Sequence, residues 1–229
     1  MEPRILEVRK NILYRNDELA RTLRARFLAE GTLTINLVSS PGAGKTTLLQ
    51  RTLSDLRHHG LAVAALVGDL ATDNDARRLA TSGVPVRQIN TDGLCHLDAA
   101  MVSRHLAEWS PGRCEILFIE NIGNLVCTAS YDLGESIRVV LLSTTEGEDK
   151  PLKYPKLFHT ADVAMITKMD LADACEFDRL EARRNIHSVR PGMEIFETSA
   201  RTSAGLEEWL RFLKARHRAM VELSPAPQD

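Results

Sequence analysis

Between positions 36 and 48 the chain reads Asn-Leu-Val-Ser-Ser-Pro-Gly-Ala-Gly-Lys-Thr-Thr-Leu. Gly42, Ala43 and Gly44 are small enough for successive backbone N–H groups to curl around phosphate oxygens. A helix starting directly after them adds positive potential. Lys45 is spaced to reach the β- and γ-phosphates of a nucleotide, and Thr46 to offer its hydroxyl to Mg²⁺. Thr47 completes the phosphate-binding set. Ser39 stands where such a loop usually has its first glycine.

Such a loop works only between a strand and a helix. Leu33, Ile35, Leu37 and Val38 supply an apolar strand before it, and Leu48, Leu49, Leu53 and Leu56 a helical stripe after it. Further strands are expected at 62–67, 84–89, 116–119, 137–143, 162–167 and 193–197. Helices are expected at 75–82, 97–108, 176–188 and 206–220. Strands alternating with helices predict an α/β fold, a mostly parallel sheet with helices on both faces. Residues 4–30 read as one amphipathic helix packed on this domain. Ile5, Val8, Ile12, Leu19, Leu23 and Phe27 recur at helical spacing, and Gly31 ends the helix. The expected organisation is that helix (1–30), a nucleotide domain (31–223) and a flexible tail (224–229).

Bulk properties narrow the function. A length of 229 residues with 44% hydrophobic content supports one sizeable core. A net charge of −2 argues against a general nucleic-acid binder. The longest apolar run, 61–67, is far too short to span a bilayer, and Met-Glu-Pro-Arg does not open a signal peptide. A cytoplasmic protein is therefore expected. Its four cysteines then read as thiols or metal ligands rather than a disulfide framework.

Ligands of open α/β sheets sit at the strand ends. After the strand ending near 166 comes Thr167-Lys168-Met169-Asp170. It resembles the guanine-reading Asn-Lys-x-Asp of GTPases, with Thr167 in place of Asn. A carboxylate at Asp170 accepts from guanine N1–H and N2–H₂, a donor pair adenine lacks. Lys168 would lay its stem over the base. Thr198-Ser199-Ala200-Arg201 follows the next strand and resembles the loop whose backbone amide contacts guanine O6.

On the phosphate side, Glu120-Asn121-Ile122-Gly123 looks like the Asp-x-x-Gly of GTPases with Glu substituted. Glu120 would serve Mg²⁺ and the Gly123 amide would sense the γ-phosphate. The acidic stretch from Gly68 to Asp75 reads as a first switch, with Asp75 near Mg²⁺ and Asp69 near the attacking water. Lys45, Asp69 and Gly123 are the expected catalytic set. No Gln follows Gly123 to orient water, so slow turnover is expected.

Cys95-His96 and Cys127 offer thiolate and imidazole donors that suit Ni²⁺ or Zn²⁺. Cys114 and Cys175 have no ligand types nearby and read as ordinary thiols. Together, the loop from Asn36 to Gly42, Thr72-Asp73-Asn74-Asp75-Ala76, Cys95-His96, Glu120-Asn121-Ile122-Gly123-Asn124-Leu125-Val126-Cys127, and Asp149-Lys150-Pro151-Leu152-Lys153-Tyr154-Pro155 resemble one family, the nickel-insertion GTPases of hydrogenase maturation called HypB. That resemblance also accommodates Ser39 and Glu120. It implies a P-loop NTPase fold of the SIMIBI type and a GTP-dependent homodimer. The dimer would hold Ni²⁺ or Zn²⁺ at the subunit interface through Cys95, His96 and Cys127. It implies GTP, GDP and Mg²⁺ as ligands and assigns Lys153 to the nucleotide. It also implies nickel delivery to a [NiFe]-hydrogenase large-subunit precursor, alongside a nickel/zinc metallochaperone partner.

Two rivals share parts of this pattern. A P-loop small-molecule kinase would share the loop at 39–46 but not the segments at 167–170 and 199–200. The urease-maturation GTPase places Pro between its Cys and His, whereas Cys95 and His96 are adjacent here.

Overall fold

Aliphatic and β-branched runs form seven strands that pair into one sheet, with every pairing parallel. The strands are β1 (Leu33–Ser39), β2 (Val63–Asp69), β3 (Val86–Asn90), β4 (Ile116–Gly123), β5 (Ile137–Ser143), β6 (Val163–Thr167) and β7 (Glu194–Glu197). Their spatial order is β3-β2-β4-β1-β5-β6-β7. This computed structural model describes residues 3–69, 73–91 and 93–223. The tail at 224–229, and Leu70, Ala71 and Thr72 of the acidic loop, lie outside the described residues.

β1 and β5 are buried along their whole length, as parallel strands covered on both faces must be. On one face α2 (Lys45–His58), α3 (Asn74–Ala80) and α8 (Leu206–Leu223) bury Leu49, Leu53, Leu79 and Trp209 against Leu37, Phe118 and Val139. The other face carries two apolar clusters. One joins α1 (Pro3–Ala29) and α4 (Ala99–Glu108) to β2 and β4 through Leu23, Phe27, Val102 and Leu117. The other joins α6 (Pro155–Thr160) and α7 (Arg179–Val189) to β5 and β6 through Phe158, Ile186, Val140 and Ala164. β1 has β4 on one side and β5 on the other, so its C-terminal end opens a crevice at the point where the strand order reverses.

Several elements differ from their sequence-based limits. β4 runs through Gly123 rather than stopping at 119, so Glu120, Asn121 and Ile122 are strand residues, and the register against β1 shifts between Glu120 and Gly123. β2 likewise extends to Asp69. α4 starts at Ala99, capped by Asp98, whose carboxylate accepts from Met101 N at 2.8 Å. Cys95 and His96 sit on a bend before the helix. In α1 the apolar stripe is not the buried face throughout. Ile12 is 52% and Leu19 is 39% exposed, whereas Asn16, Ala20, Leu23 and Phe27 face the domain. Gly31 leaves α1 at φ 65°, a conformation glycine takes without strain. Between β5 and β6, α5 (Lys150–Lys153) and α6 are helices of four and six residues, too short to show a helical period in sequence.

Candidate functional site: a phosphate loop, a base pocket and a thiol cluster

The phosphate loop turns because Gly44 adopts φ 92°, and α2 begins at Lys45 immediately beyond it. Lys45 is buried, and its ammonium donates to Ser39 Oγ at 2.8 Å. Ser39 Oγ in turn donates to the Ser40 carbonyl at 2.6 Å. The unusual serine thus holds the lysine in place. Burial lowers the Lys45 pKa, against the pull of Glu120, Asp75 and Glu146.

Thr46 Oγ1 donates to Glu120 Oε1 at 2.6 Å, while the buried Glu120 Oε2 has no hydrogen-bond partner among the described residues. Burial pushes the Glu120 carboxyl up to about 7, opposed by Thr46 and Lys45. A buried, half-satisfied carboxylate beside a threonine hydroxyl fits a hard divalent cation. Lys45, Thr46, Asp69, Asp75, Arg78 and Gly123 all line the adjoining cavity, of about 480 Å³. A side chain at Gly123 would meet the Pro41 backbone at 2.9 Å, so the end of β4 lies against the phosphate loop. Asp75 lies in the first turn of α3, while Asp73 occupies the N-cap position and pairs with Arg77 at 2.7 Å.

Beside that cavity, a pocket of about 230 Å³ is lined by Gly44, Thr47, Thr167, Lys168, Asp170 and Ala200. Asp170 Oδ1 accepts from Ser199 Oγ at 2.6 Å, which aims the carboxylate. The Ser199 amide donates to the Ala204 carbonyl at 3.0 Å. Lys168 takes φ 57° and its ammonium donates to the Gly42 carbonyl at 2.7 Å, laying its stem between pocket and loop. Thr167 Oγ1 donates to the Ala43 carbonyl at 2.7 Å. The hydroxyl supplies the support behind the loop that the absent Asn amide left open.

The three metal-type donors converge. Ligand atoms of Cys95, His96 and Cys127 all lie within 4.8 Å of one another. The two sulfurs are 2.8 Å apart, and Cys95 Sγ is 3.9 Å from His96 Nδ1. The bend before α4 resolves the difficulty adjacent residues would meet on a regular helix, where their side chains diverge. Asn124 fixes the other arm: its Oδ1 accepts from Val126 N at 2.8 Å and Cys127 N at 2.9 Å. His96 stacks on Tyr131 with ring centroids 3.8 Å apart. Burial lowers its pKa against the pull of Asp98, which favours the neutral imidazole that binds metal. Cys114 and Cys175 are free thiols apart from this cluster.

Two residues break the sequence-based pattern. Lys153 lines neither of these two cavities: its side chain is 60% exposed and its ammonium pairs with Asp149 at 2.5 Å. Arg78, not singled out from the sequence, lines the phosphate cavity, and its guanidinium donates to Thr47 Oγ1 at 3.0 Å. It lies one helical turn after Asp75, which the sequence reading placed near Mg²⁺, so that turn of α3 was the signal that could have found it.

Comparison with known proteins agrees with this geometry. Residues 33–197 match the family model "CobW/HypB/UreG, nucleotide-binding domain". Hydrogenase maturation factor HypB of Azotobacter vinelandii is 48% identical over 226 residues, covering 96% of this chain and 74% of that protein. The Escherichia coli (strain K12) HypB is 45% identical over 216 residues, covering 94% and 74%. The crystal structure of HypB from Helicobacter pylori in complex with nickel superposes with a TM-score of 0.83 at 37% identity, covering 94% of this chain and 99% of that one. With a seven-stranded parallel sheet, a phosphate loop and a Cys/Cys/His cluster in one framework, and with similarity running through nearly all of it, the chain belongs to the HypB family.

Proposed function

We propose that this protein is a GTP-hydrolysing nickel carrier that helps load nickel into a [NiFe]-hydrogenase large-subunit precursor in the cytoplasm. The observation that carries the reading is the convergence of Cys95, His96 and Cys127 within 4.8 Å, with Cys127 on the segment that leaves β4 four residues after Gly123 of the phosphate cavity. Nickel is cargo here, and Zn²⁺ shares the donor preference. Three donors per chain leave a four-ligand site incomplete. A second copy on a two-fold axis would complete it, which supports a homodimer. A nickel/zinc metallochaperone is the expected donor or acceptor partner. Among the described residues no helix is long and apolar enough to cross a membrane. Residues 31–223 would form the nucleotide-and-metal unit, with α1 braced on it.

In hydrolysis, Asp170, Ser199 and Ala200 select guanine, and Lys168 covers the base. Gly42, Ala43, Gly44, Thr46 and Thr47 present the loop amides and hydroxyls to the phosphates. Lys45 and Arg78 carry the charge that stabilises the leaving phosphate oxygens. Thr46 and Glu120 would hold Mg²⁺, with Asp75 at its edge, and bound Mg²⁺ would neutralise charge on the β- and γ-phosphates. Asp69 would position the attacking water, and the Gly123 amide would register the γ-phosphate. The test is a turnover assay with GTP and ATP, paired with Ni²⁺ titration of wild-type protein and Cys95→Ala. Guanine-specific hydrolysis with nickel binding lost in Cys95→Ala supports the reading. Equal turnover of ATP, or full nickel binding by the variant, overturns it.

A further inference from the structure

Consecutive strand residues point to opposite faces of a sheet. On β4, Glu120 faces α2 and meets Thr46, while Asn121 lies on the other face, where it meets Leu97 ahead of α4. Asn121 is buried, and its Oδ1 accepts from Leu97 N at 3.1 Å and from Ile122 N at 2.9 Å. Leu97 is the residue after His96. The bend carrying two of the three metal donors is thus fastened to the residue next to the carboxylate beside the phosphates. A buried backbone N–H left without an acceptor is costly, so the bond to Asn121 specifies where Leu97 sits.

Asn121 is itself held from behind. Its Nδ2 reaches Asn36 Oδ1 at 3.5 Å, and Asn36 Nδ2 donates to Glu135 Oε1 at 3.1 Å. Glu135 pairs with Arg138 at 2.7 Å, and Arg138 donates to the Tyr131 carbonyl at 2.8 Å. Tyr131 is the ring stacked on His96. The chain of buried polar groups leaves the metal bend at Leu97 and returns to it at His96, along the seam between the two apolar clusters on that face.

We propose that Asn121 is the positioning residue that couples the two sites: by holding Leu97 N to β4, it makes the Cys95-His96 bend follow the strand that carries Glu120 and Gly123. This rests on the nucleotide-and-nickel reading above. Gly123 lies against Pro41 and Glu120 against Thr46, so the end of β4 is in contact with the phosphate loop and is the part of the strand that a change at the phosphates would move. Packed interiors shift between discrete arrangements rather than deforming smoothly, so a small strand shift moves the bend with it.

The test titrates Ni²⁺ into the full chain with GDP and with a non-hydrolysable GTP analogue, in wild type and in Asn121→Leu, whose shape is similar. Circular dichroism confirms folding, and the nickel–thiolate charge-transfer band reports the metal. Wild type is expected to bind nickel at least ~5-fold differently in the two nucleotide states, and the variant less than ~2-fold differently, with the band retained. A purely structural role would weaken nickel equally in both states and leave the ratio intact, which overturns the assignment to Asn121 alone. Equal affinities in wild type sink the coupling itself and the assignment with it. Should the variant not fold, exchange of the Leu97 amide in wild type decides the matter. Protection that changes between GDP and the analogue supports the proposal, and identical protection overturns it.

Discussion

The Thr167 hydroxyl donates to the carbonyl of Ala43 at 2.7 Å, tying the segment proposed to read the base to the phosphate loop. Both pieces of the nucleotide site are thereby held as one body. Thr167→Val keeps the side-chain shape and deletes the bond. Guanine-nucleotide affinity is expected to fall by about 5- to 10-fold, the equivalent of one buried hydrogen bond. Calorimetric titration with GDP measures it, and an unchanged affinity would show that the tie contributes nothing.

Asp170, held by Ser199, accepts from two guanine donors in the proposed pose. Asp170→Asn replaces one acceptor with a donor. Guanine nucleotides are expected to bind at least ~100-fold more weakly while xanthine nucleotides gain, because a site built for paired hydrogen bonds rejects a mismatched base. Competition between labelled GDP and XDP reads the switch. No change in preference would take Asp170 out of the base site.

Lys45 and Ser39 form the second pair with a functional consequence. In the proposed mechanism Lys45→Ala removes the charge at the leaving oxygens, and turnover is expected to drop by about 10²- to 10³-fold. Ser39→Ala frees the ammonium of its hydroxyl partner and should cost less, about 10-fold or below. Phosphate-release kinetics separate the two. Wild-type turnover in Lys45→Ala would falsify the placement of chemistry at this loop.

Nickel capacity should depend on both arms of the thiol cluster. Cys95→Ala and Cys127→Ala each remove one of two sulfurs 2.8 Å apart, and each is expected to abolish the charge-transfer band. Stripping nickel with a chelator should return both thiols to titration by a disulfide reagent. A variant that keeps the band would exclude that cysteine as a ligand.

Cys114 gives a pH prediction. Burial pushes its thiol up to about 12 from the ordinary 9.0. A raised folded pKa keeps the proton on in the native state. Any contribution to stability is complete below the unfolded value and is lost as pH rises from there through 12. Native Cys114 should therefore carry about a thousandfold less thiolate than an ordinary cysteine near pH 8. Iodoacetamide at pH 8 is expected to label the exposed Cys175 and spare Cys114, as read by peptide mass mapping. Labelling of Cys114 at the rate seen for Cys175 would refute the shift.

The parts of this protein set by neighbours in the chain were legible in sequence. A strand, a run of small residues and Gly44-Lys45-Thr46 make a phosphate loop through local backbone geometry, so residue order alone specified it. The same holds for Thr167 to Asp170 and Ser199-Ala200, each placed by the strand it follows. Alternating strands and helices likewise determined the parallel sheet.

What depended on distant contacts was decided only by the tertiary structure. β4 continues through Gly123 because β1 pairs with it beyond the point where β2 stops at Glu120, and the side chains of Glu120 and Asn121 reach Thr46 and Leu97 on opposite faces. The buried face of α1 follows Asn16, which donates to the Asp132 carbonyl and accepts from Ala99 N, rather than Ile12 and Leu19. A hydrophobic stripe cannot reveal such a polar anchor, because its partners lie more than eighty positions away. Cys95 and Cys127 are brought together across a separation of 32 residues by β4, α4 and the Asn121 and Asn124 side chains. Arg78 reaches Thr47 only because α3 packs beside α2. Sequence order names the donors, and packing decides which of them meet.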